Sequence, residues 1–109
     1  MIYVSGRIFL EELNRYEAQF WSAKEYLIHE VWAYEDNSVK TLFEMYKECE
    51  KVKPLSDLST IEEVEMRIQM AKSCTRLYLV QGWEVDDLCR MEHTIAKAYG
   101  IPVTYSRKF

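Results

Sequence analysis

Short uninterrupted apolar runs alternate along this chain with longer stretches in which apolar residues recur every three or four positions. Ile2 to Ser5 is a β-branched and aromatic run ending at Gly6, which predicts a buried first strand. From Leu10 to about Glu30 the pattern becomes helical, with Leu13, Tyr16, Phe20, Leu27 and Val31 on one face. Val31 to Tyr34 predicts a second strand and Glu35-Asp36-Asn37-Ser38 a turn. Ser38 then reads as the cap of a helix carrying Val39, Leu42, Phe43 and Tyr46 on one side, which fades through the charged Glu48 to Lys53 into Pro54. Ser59 or Thr60 opens the next helix, with Glu62 and Glu63 in its first turn, where the helix dipole favours them. Its apolar stripe is Ile61, Val64, Ile68 and Ala71. Leu77 to Val80 predicts a buried strand broken at Gly82. Asp87 to Tyr99 predicts a helix with Asp86 and Asp87 at its start and Gly100 and Pro102 beyond its end. Ile101 to Tyr105 closes the series as a strand.

The order β-α-β-α-α-β-α-β requires parallel strands joined by right-handed crossovers. The expected fold is therefore α/β: one small doubly wound (flavodoxin-like or Rossmann-like) domain of about four parallel strands with helices on both faces. In such sheets ligands sit beyond the carboxyl ends of the strands, where the strand order reverses. With a strand order of 2-1-3-4, that point lies between the first and third strands. Gly6-Arg7 follows one of these and Gly82-Trp83 the other, and the last helix starts just after the second.

One residue breaks the pattern. On the Asp87–Tyr99 helix, Leu88, Met91, Ile95 and Tyr99 share a stripe, and Glu92 falls within it. An ionised carboxylate taken out of water without a partner costs several kcal/mol, so it must be paired, protonated or lining a cavity. Strand ends and helix start converge on this residue, and the expectation is one crevice bounded by Tyr3, Gly6, Gly82 and Glu92.

Composition narrows the function classes. The chain has 109 residues, enough for a single domain and no linker, repeat or low-complexity stretch. Lys+Arg 14 against Asp+Glu 18 gives a net charge of −4 with no basic run, which argues against a groove tracking a nucleic acid polymer. Cys49, Cys74 and Cys89 are odd in number and lack a C-x-x-C spacing, so free thiols in a reducing, cytoplasmic compartment are expected. His29 and His93 lie near no cysteine pair, so no zinc site or other metal is expected. No stretch approaches the roughly 20 apolar residues that span a bilayer.

The blocks Ile2-Tyr3-Val4-Ser5-Gly6-Arg7-Ile8 and Tyr78-Leu79-Val80-Gln81-Gly82-Trp83-Glu84, continued by Arg90-Met91-Glu92-His93 and Ala96-Lys97-Ala98-Tyr99-Gly100-Ile101-Pro102, carry a resemblance. Together they resemble the nucleoside 2-deoxyribosyltransferase-like superfamily, in particular a small branch common in phages and bacteria. The resemblance implies that Glu92 attacks the anomeric carbon of a nucleoside, that Tyr3 orients it, and that Asp86 or Asp87 handles the sugar or departing base. Breaking an N-glycosidic bond passes through an oxocarbenium-like centre, which a carboxylate below the sugar can stabilise or trap. Ser5, Gly6, Arg7, Gly82 and Trp83 are the expected substrate-binding residues. Several have structural readings as well: Tyr3 as a packed core tyrosine, Asp86 and Asp87 as helix caps, Trp83 as a lid on the crevice, Arg7 as a partner for either a phosphate or Glu92. His93 lies off the apolar face and reads as solvated.

The chain also departs from the branch. Arg7 replaces a proline, Thr75 an aspartate, and Arg67 an aspartate in the helix before the third strand. Tyr34-Glu35-Asp36 stands where relatives carry Asn-Pro. Two functions remain open at this point. One is an N-glycosidic-bond-processing enzyme, hydrolase or deoxyribosyltransferase, acting on a nucleoside or nucleotide through Glu92 without a cofactor. The other is a catalytically inactive protein of this shape that binds or sequesters a nucleotide. The resemblance also implies a homodimer or larger homo-oligomer, for which the Val39–Cys49 helix with Phe43 and Tyr46 offers an apolar face.

Overall fold

In the computed structural model, residues 1–31 and 38–106 are described. Strands β1 (Ile2–Ser5), β2 (Val39–Thr41), β3 (Arg76–Leu79) and β4 (Val103–Tyr105) form one parallel sheet in the order β2-β1-β3-β4, as the alternation predicts. Register places Tyr3 beside Leu77 and Ser5 beside Leu79. The Val80 N–H donates to the Ser5 carbonyl at 2.8 Å, which carries the β1–β3 pairing to the carboxyl edge.

A helical path follows β1, kinked at Glu12 (φ −123°, ψ 28°) and changing pitch twice. A 3-10 segment (Leu10–Tyr16) leads into α1 (Glu17–Glu25), which ends in a π-helical turn (Tyr26–Val31). Its buried side chains include Leu13, Phe20 and Leu27, three of the five assigned to one face. Gly6 lets this path lie close to the sheet. A Cβ there would sit 3.0 Å from both Phe20 Cζ and Val80 Cβ, tighter than ordinary packing.

The second crossover differs from expectation. The strand lies at Val39–Thr41, and the segment expected to form it, Val31 to Tyr34, falls outside the described residues beyond Val31. Val39 pairs with Ile2 in the sheet, so it cannot belong to the following helix. Thr41 rather than Ser38 caps α2 (Leu42–Val52): it accepts from Glu44 N–H while the Glu44 carboxylate accepts from Thr41 N–H. The same reciprocal pair, Ser59 with Glu62, starts α3 (Thr60–Ser73). Asp86 caps α4 (Asp87–Ala98) by accepting from Cys89 N–H at 2.9 Å.

Two helical stripes are rotated from their predicted positions. In α3 Ile61 is largely exposed, and Arg67 and Ala71 are the buried centre. In α4 Tyr99, just past the helix, is exposed, and the buried line runs through Cys89, Glu92 and Ala96. Ala71, Cys89 and Ala96 sit beside Arg67 and Glu92 on the buried sides of α3 and α4, and the larger Leu88, Met91 and Ile95 flank the α4 line half-buried. Tyr46 of α2 is wholly buried and Phe43 half-buried, so the apolar face expected to dock another subunit packs within this chain.

Right-handed crossovers put α1 alone on one face of the sheet and α2, α3 and α4 on the other. Tyr3 and Ser5 point to the three-helix face, where they meet α4. On the opposite face, among the described residues, α1 covers β1 and β2 and leaves part of β3 and β4 open. No helix among the described residues is long and apolar enough to cross a membrane.

Candidate functional site

Beneath β1, the Glu92 carboxylate has no exposed surface and every oxygen is engaged. Oε2 accepts from the Tyr3 hydroxyl. Oε1 accepts from Ser5 Oγ at 2.5 Å and from Arg67 Nη2 at 2.7 Å. The Arg67 guanidinium, 1% exposed, also reaches Ser5 Oγ, Cys89 Sγ and the Tyr46 hydroxyl at 3.3–3.4 Å. Asp86 and Glu63 lie farther from it, at 3.8 and 4.0 Å. Thus two residues from β1's inward face, Tyr3 and Ser5, meet Arg67 of α3 and Glu92 of α4 around a buried ion pair, and the pair fastens both helices to the sheet.

Electrostatics follow from this enclosure. Burial would lower the Arg67 pKa, but the adjacent Glu92 charge and hydrogen bond overcome it and raise the pKa, so the guanidinium is held charged. Burial pushes the Tyr3 phenol well above its usual range, and the Glu92 charge pushes it further. Burial likewise raises the Cys89 thiol, against a smaller opposing effect of Arg67. Both groups are therefore neutral near pH 7, unsuited to act as a thiolate or phenolate.

At the carboxyl edge, directly beyond this network, the chain forms a different site. A cavity of about 320 Å³ opens between the ends of β1 and β3, lined by Arg7, Arg15, Tyr16, Gln19, Gln81 and Gly82 among others. This is the switch point of the 2-1-3-4 sheet. Gly82 adopts φ +96°, which turns the chain away from β3 and leaves the crevice open. The Arg7 guanidinium lies over the Phe9 ring, 4.7 Å from its centroid, and no carboxylate pairs with it among the described residues. Arg15 is paired with Glu12 at 3.1 Å.

The residues singled out from sequence thus divide. Tyr3, Ser5 and Glu92 touch one another, and Asp86 borders them through Arg67. Arg7 and Gly82 line the crevice, Gly6 is buried against Phe20 and Val80 instead, and Tyr3 and Glu92 are sealed off from it. Arg67, and not Arg7, neutralises Glu92. Asp87 is turned outward and pairs with Arg90 on the surface. Trp83 stacks with His93 at 4.7 Å and Tyr105 at 5.4 Å, and His93 Nε2 bonds the Tyr105 hydroxyl at 2.7 Å, so His93 is half-buried in a small aromatic cluster. Among the described residues no group of three or more His, Cys, Asp or Glu could hold a metal ion.

Sequence reasoning passed over Arg67 as a site residue. The criterion that marked Glu92, a charge on a packed helix face, applies equally to Arg67, one turn before Ala71. Gln19 and Gln81 carried no comparable signal, since exposed glutamines are ordinary on a surface.

A family described as "Domain of unknown function (DUF4406)" matches residues 1–105, and the chain belongs to it. No curated protein and no solved structure matches the chain.

Proposed function

We propose that this member of the family binds a small nucleotide at the carboxyl edge of β1 and β3 and leaves its glycosidic bond intact. The closure of Glu92 carries this reading. A nucleophilic carboxylate needs an approachable oxygen, and both oxygens of Glu92 are held by Tyr3, Ser5 and Arg67 with no surface exposed. The cation that closes it stands where the resemblance to nucleoside 2-deoxyribosyltransferase-like proteins implies an aspartate. Beside this closed network, Arg7 offers an unmatched guanidinium suited to phosphate oxygens.

The test is incubation of the pure protein with a panel of nucleosides and nucleoside 5′-monophosphates, read by calorimetry for binding and by chromatography for base release. The expected result is binding of at least one 5′-phosphate and its recovery intact. Free base in the wild-type reaction, or no binding at all, would overturn the reading.

The Tyr3–Glu92 hydrogen bond favours a second reading, an N-glycosidase or deoxyribosyltransferase in which Tyr3 orients Glu92. It requires Arg67 to swing away when substrate enters. Its signature is base release that disappears in Glu92→Gln. Self-association accompanies either reading through the same resemblance, and sedimentation showing only monomer at tens of micromolar would count against it.

A further inference from the structure

On the face that α1 alone covers, the open part of β3 and β4 forms a groove of about 490 Å³. Its floor is Tyr78, Val80 and Leu27, and its sides carry the half-exposed rings of Tyr26 and Tyr105. Ser22, Thr104 and Ser106 supply hydroxyls around it, that of Thr104 already accepting from Arg76 Nη1 at 3.0 Å, and none of the described residues that line it is charged. Gln19 and Gln81 line both this groove and the arginine crevice at the strand ends, so the two cavities share a wall. One further group lacks a partner: Ser106 Oγ is shielded from solvent and makes no hydrogen bond among the described residues.

We infer that this groove is the nucleobase subsite of the nucleotide whose phosphate sits against Arg7, an inference that rests on the reading proposed above. Its polarity runs the right way for such a ligand. A neutral, ring-lined slot continues into a cationic one, as an aromatic base continues through a sugar into a phosphate. Tyrosine faces stack on any base, and the two glutamines with the three hydroxyls present donors and acceptors to a base edge. Among the described residues no charged side chain lines the groove to meet a phosphate, and a base at the Arg7 end would leave the guanidinium unmatched. The combined volume falls in the range of small-molecule sites. The Trp83–His93–Tyr105 cluster borders the groove through Tyr105 and is the competing platform.

The test measures calorimetric affinity for adenosine, guanosine, cytidine and uridine 5′-monophosphates and for ribose 5-phosphate. Ser22→Trp fills the groove from an exposed position, and Tyr26→Ala removes an exposed ring, so neither disturbs the core. Wild type is expected to bind the best nucleotide at least about tenfold more tightly than ribose 5-phosphate. Both variants should lower nucleotide affinity toward that of ribose 5-phosphate and leave ribose 5-phosphate binding unchanged. If wild type binds nucleotide and sugar phosphate equally, or Trp83→Ala abolishes the preference while Ser22→Trp does not, the groove assignment falls and the nucleotide-binding reading stands. If wild type binds no nucleotide, both fall.

Discussion

Ser5 and Arg7 are two residues apart, yet they belong to opposite electrostatic regimes. Ser5 points into a sealed cluster in which Arg67 and Glu92 share a charge-assisted hydrogen bond and nearly every donor has its acceptor. Arg7 lies in an open crevice over Phe9, and the one carboxylate among the described residues lining that crevice, Glu12, is paired with Arg15 instead. A buried charge pair is stable only if geometry repays desolvation, so its members are committed to each other. An unmatched cation at the surface has lost little water and remains free to meet an anion. The chemistry that looks most catalytic by residue type is thus the least accessible, and the accessible charge lies just past the end of the strand.

The largest effect should come from breaking the sealed pair on one side. Arg67→Met leaves the Glu92 carboxylate buried with only two hydroxyl donors, and is expected to cost about 3–5 kcal/mol in urea unfolding. Replacing both members, Arg67→Met with Glu92→Leu, should recover most of that loss, since a well-packed apolar pair has no charge to desolvate. Glu92→Gln should cost less, about 1–3 kcal/mol, because Asp86 and Glu63 remain near the guanidinium. If Arg67→Met is instead well folded and releases base from a nucleoside, the pair is a latched active site and the comparison is reversed.

Alkaline pH probes the same cluster without mutation. The folded pKa values of Tyr3 and Cys89 lie above their unfolded values, raised by burial first and by Glu92 as well. Tyr46 is raised too, chiefly by burial. The unfolded chain therefore releases these protons at lower pH than the folded one. Stability is fully present below about pH 8.5 and falls as pH rises through about 10, by roughly 1.4 kcal/mol per pH unit for each group titrating only when unfolded. Tyrosinate absorbance should show Tyr3 and Tyr46 ionising only with unfolding. Smooth ionisation of every tyrosine in a still-folded protein would mean that the cluster is open to solvent.

The sheet was legible in the sequence because parallel strands buried on both faces leave unbroken apolar runs, as at Ile2–Ser5 and Leu77–Val80. Val39–Thr41 was not, since three residues with Lys40 among them carry no run, and the Thr41–Glu44 capping pair was the better marker. Glu92 announced itself as a charge in an apolar stripe. Its partner lay on another helix, and the pairing of α3 with α4 is a tertiary fact that periodicity within either helix does not encode. The crevice was placed by topology alone, whereas the identity of its lining depended on where the path from Leu10 to Val31 changes pitch.

On the open side, Arg7→Ala separates binding from folding. Its guanidinium lies over the Phe9 ring and makes no hydrogen bond or ion pair among the described residues, so stability should shift by no more than about 0.5 kcal/mol. Nucleotide affinity should fall about 10- to 100-fold, the worth of a charge-assisted hydrogen bond to phosphate. Loss of stability without loss of affinity would place Arg7 with the structural residues.

The smallest effect is the most specific to the comparison, because it turns a matched charge into an unmatched one. Arg15 faces the same crevice as Arg7 but is paired with Glu12, and both side chains are well exposed. A surface pair of this kind holds only about 0.2–1 kcal/mol, so Glu12→Gln should leave folding unchanged. Removing the carboxylate frees the Arg15 guanidinium and deletes a negative charge that a bound phosphate would otherwise meet. Affinity for the nucleotide should therefore rise about two- to fivefold, and the gain should shrink as salt is raised, since exposed charges are screened within about 10 Å at 0.1 M. Arg15→Gln should do the opposite by leaving Glu12 unopposed. If neither change alters affinity while Arg7→Ala does, the phosphate lies against Arg7 alone, on the β1 side of the crevice.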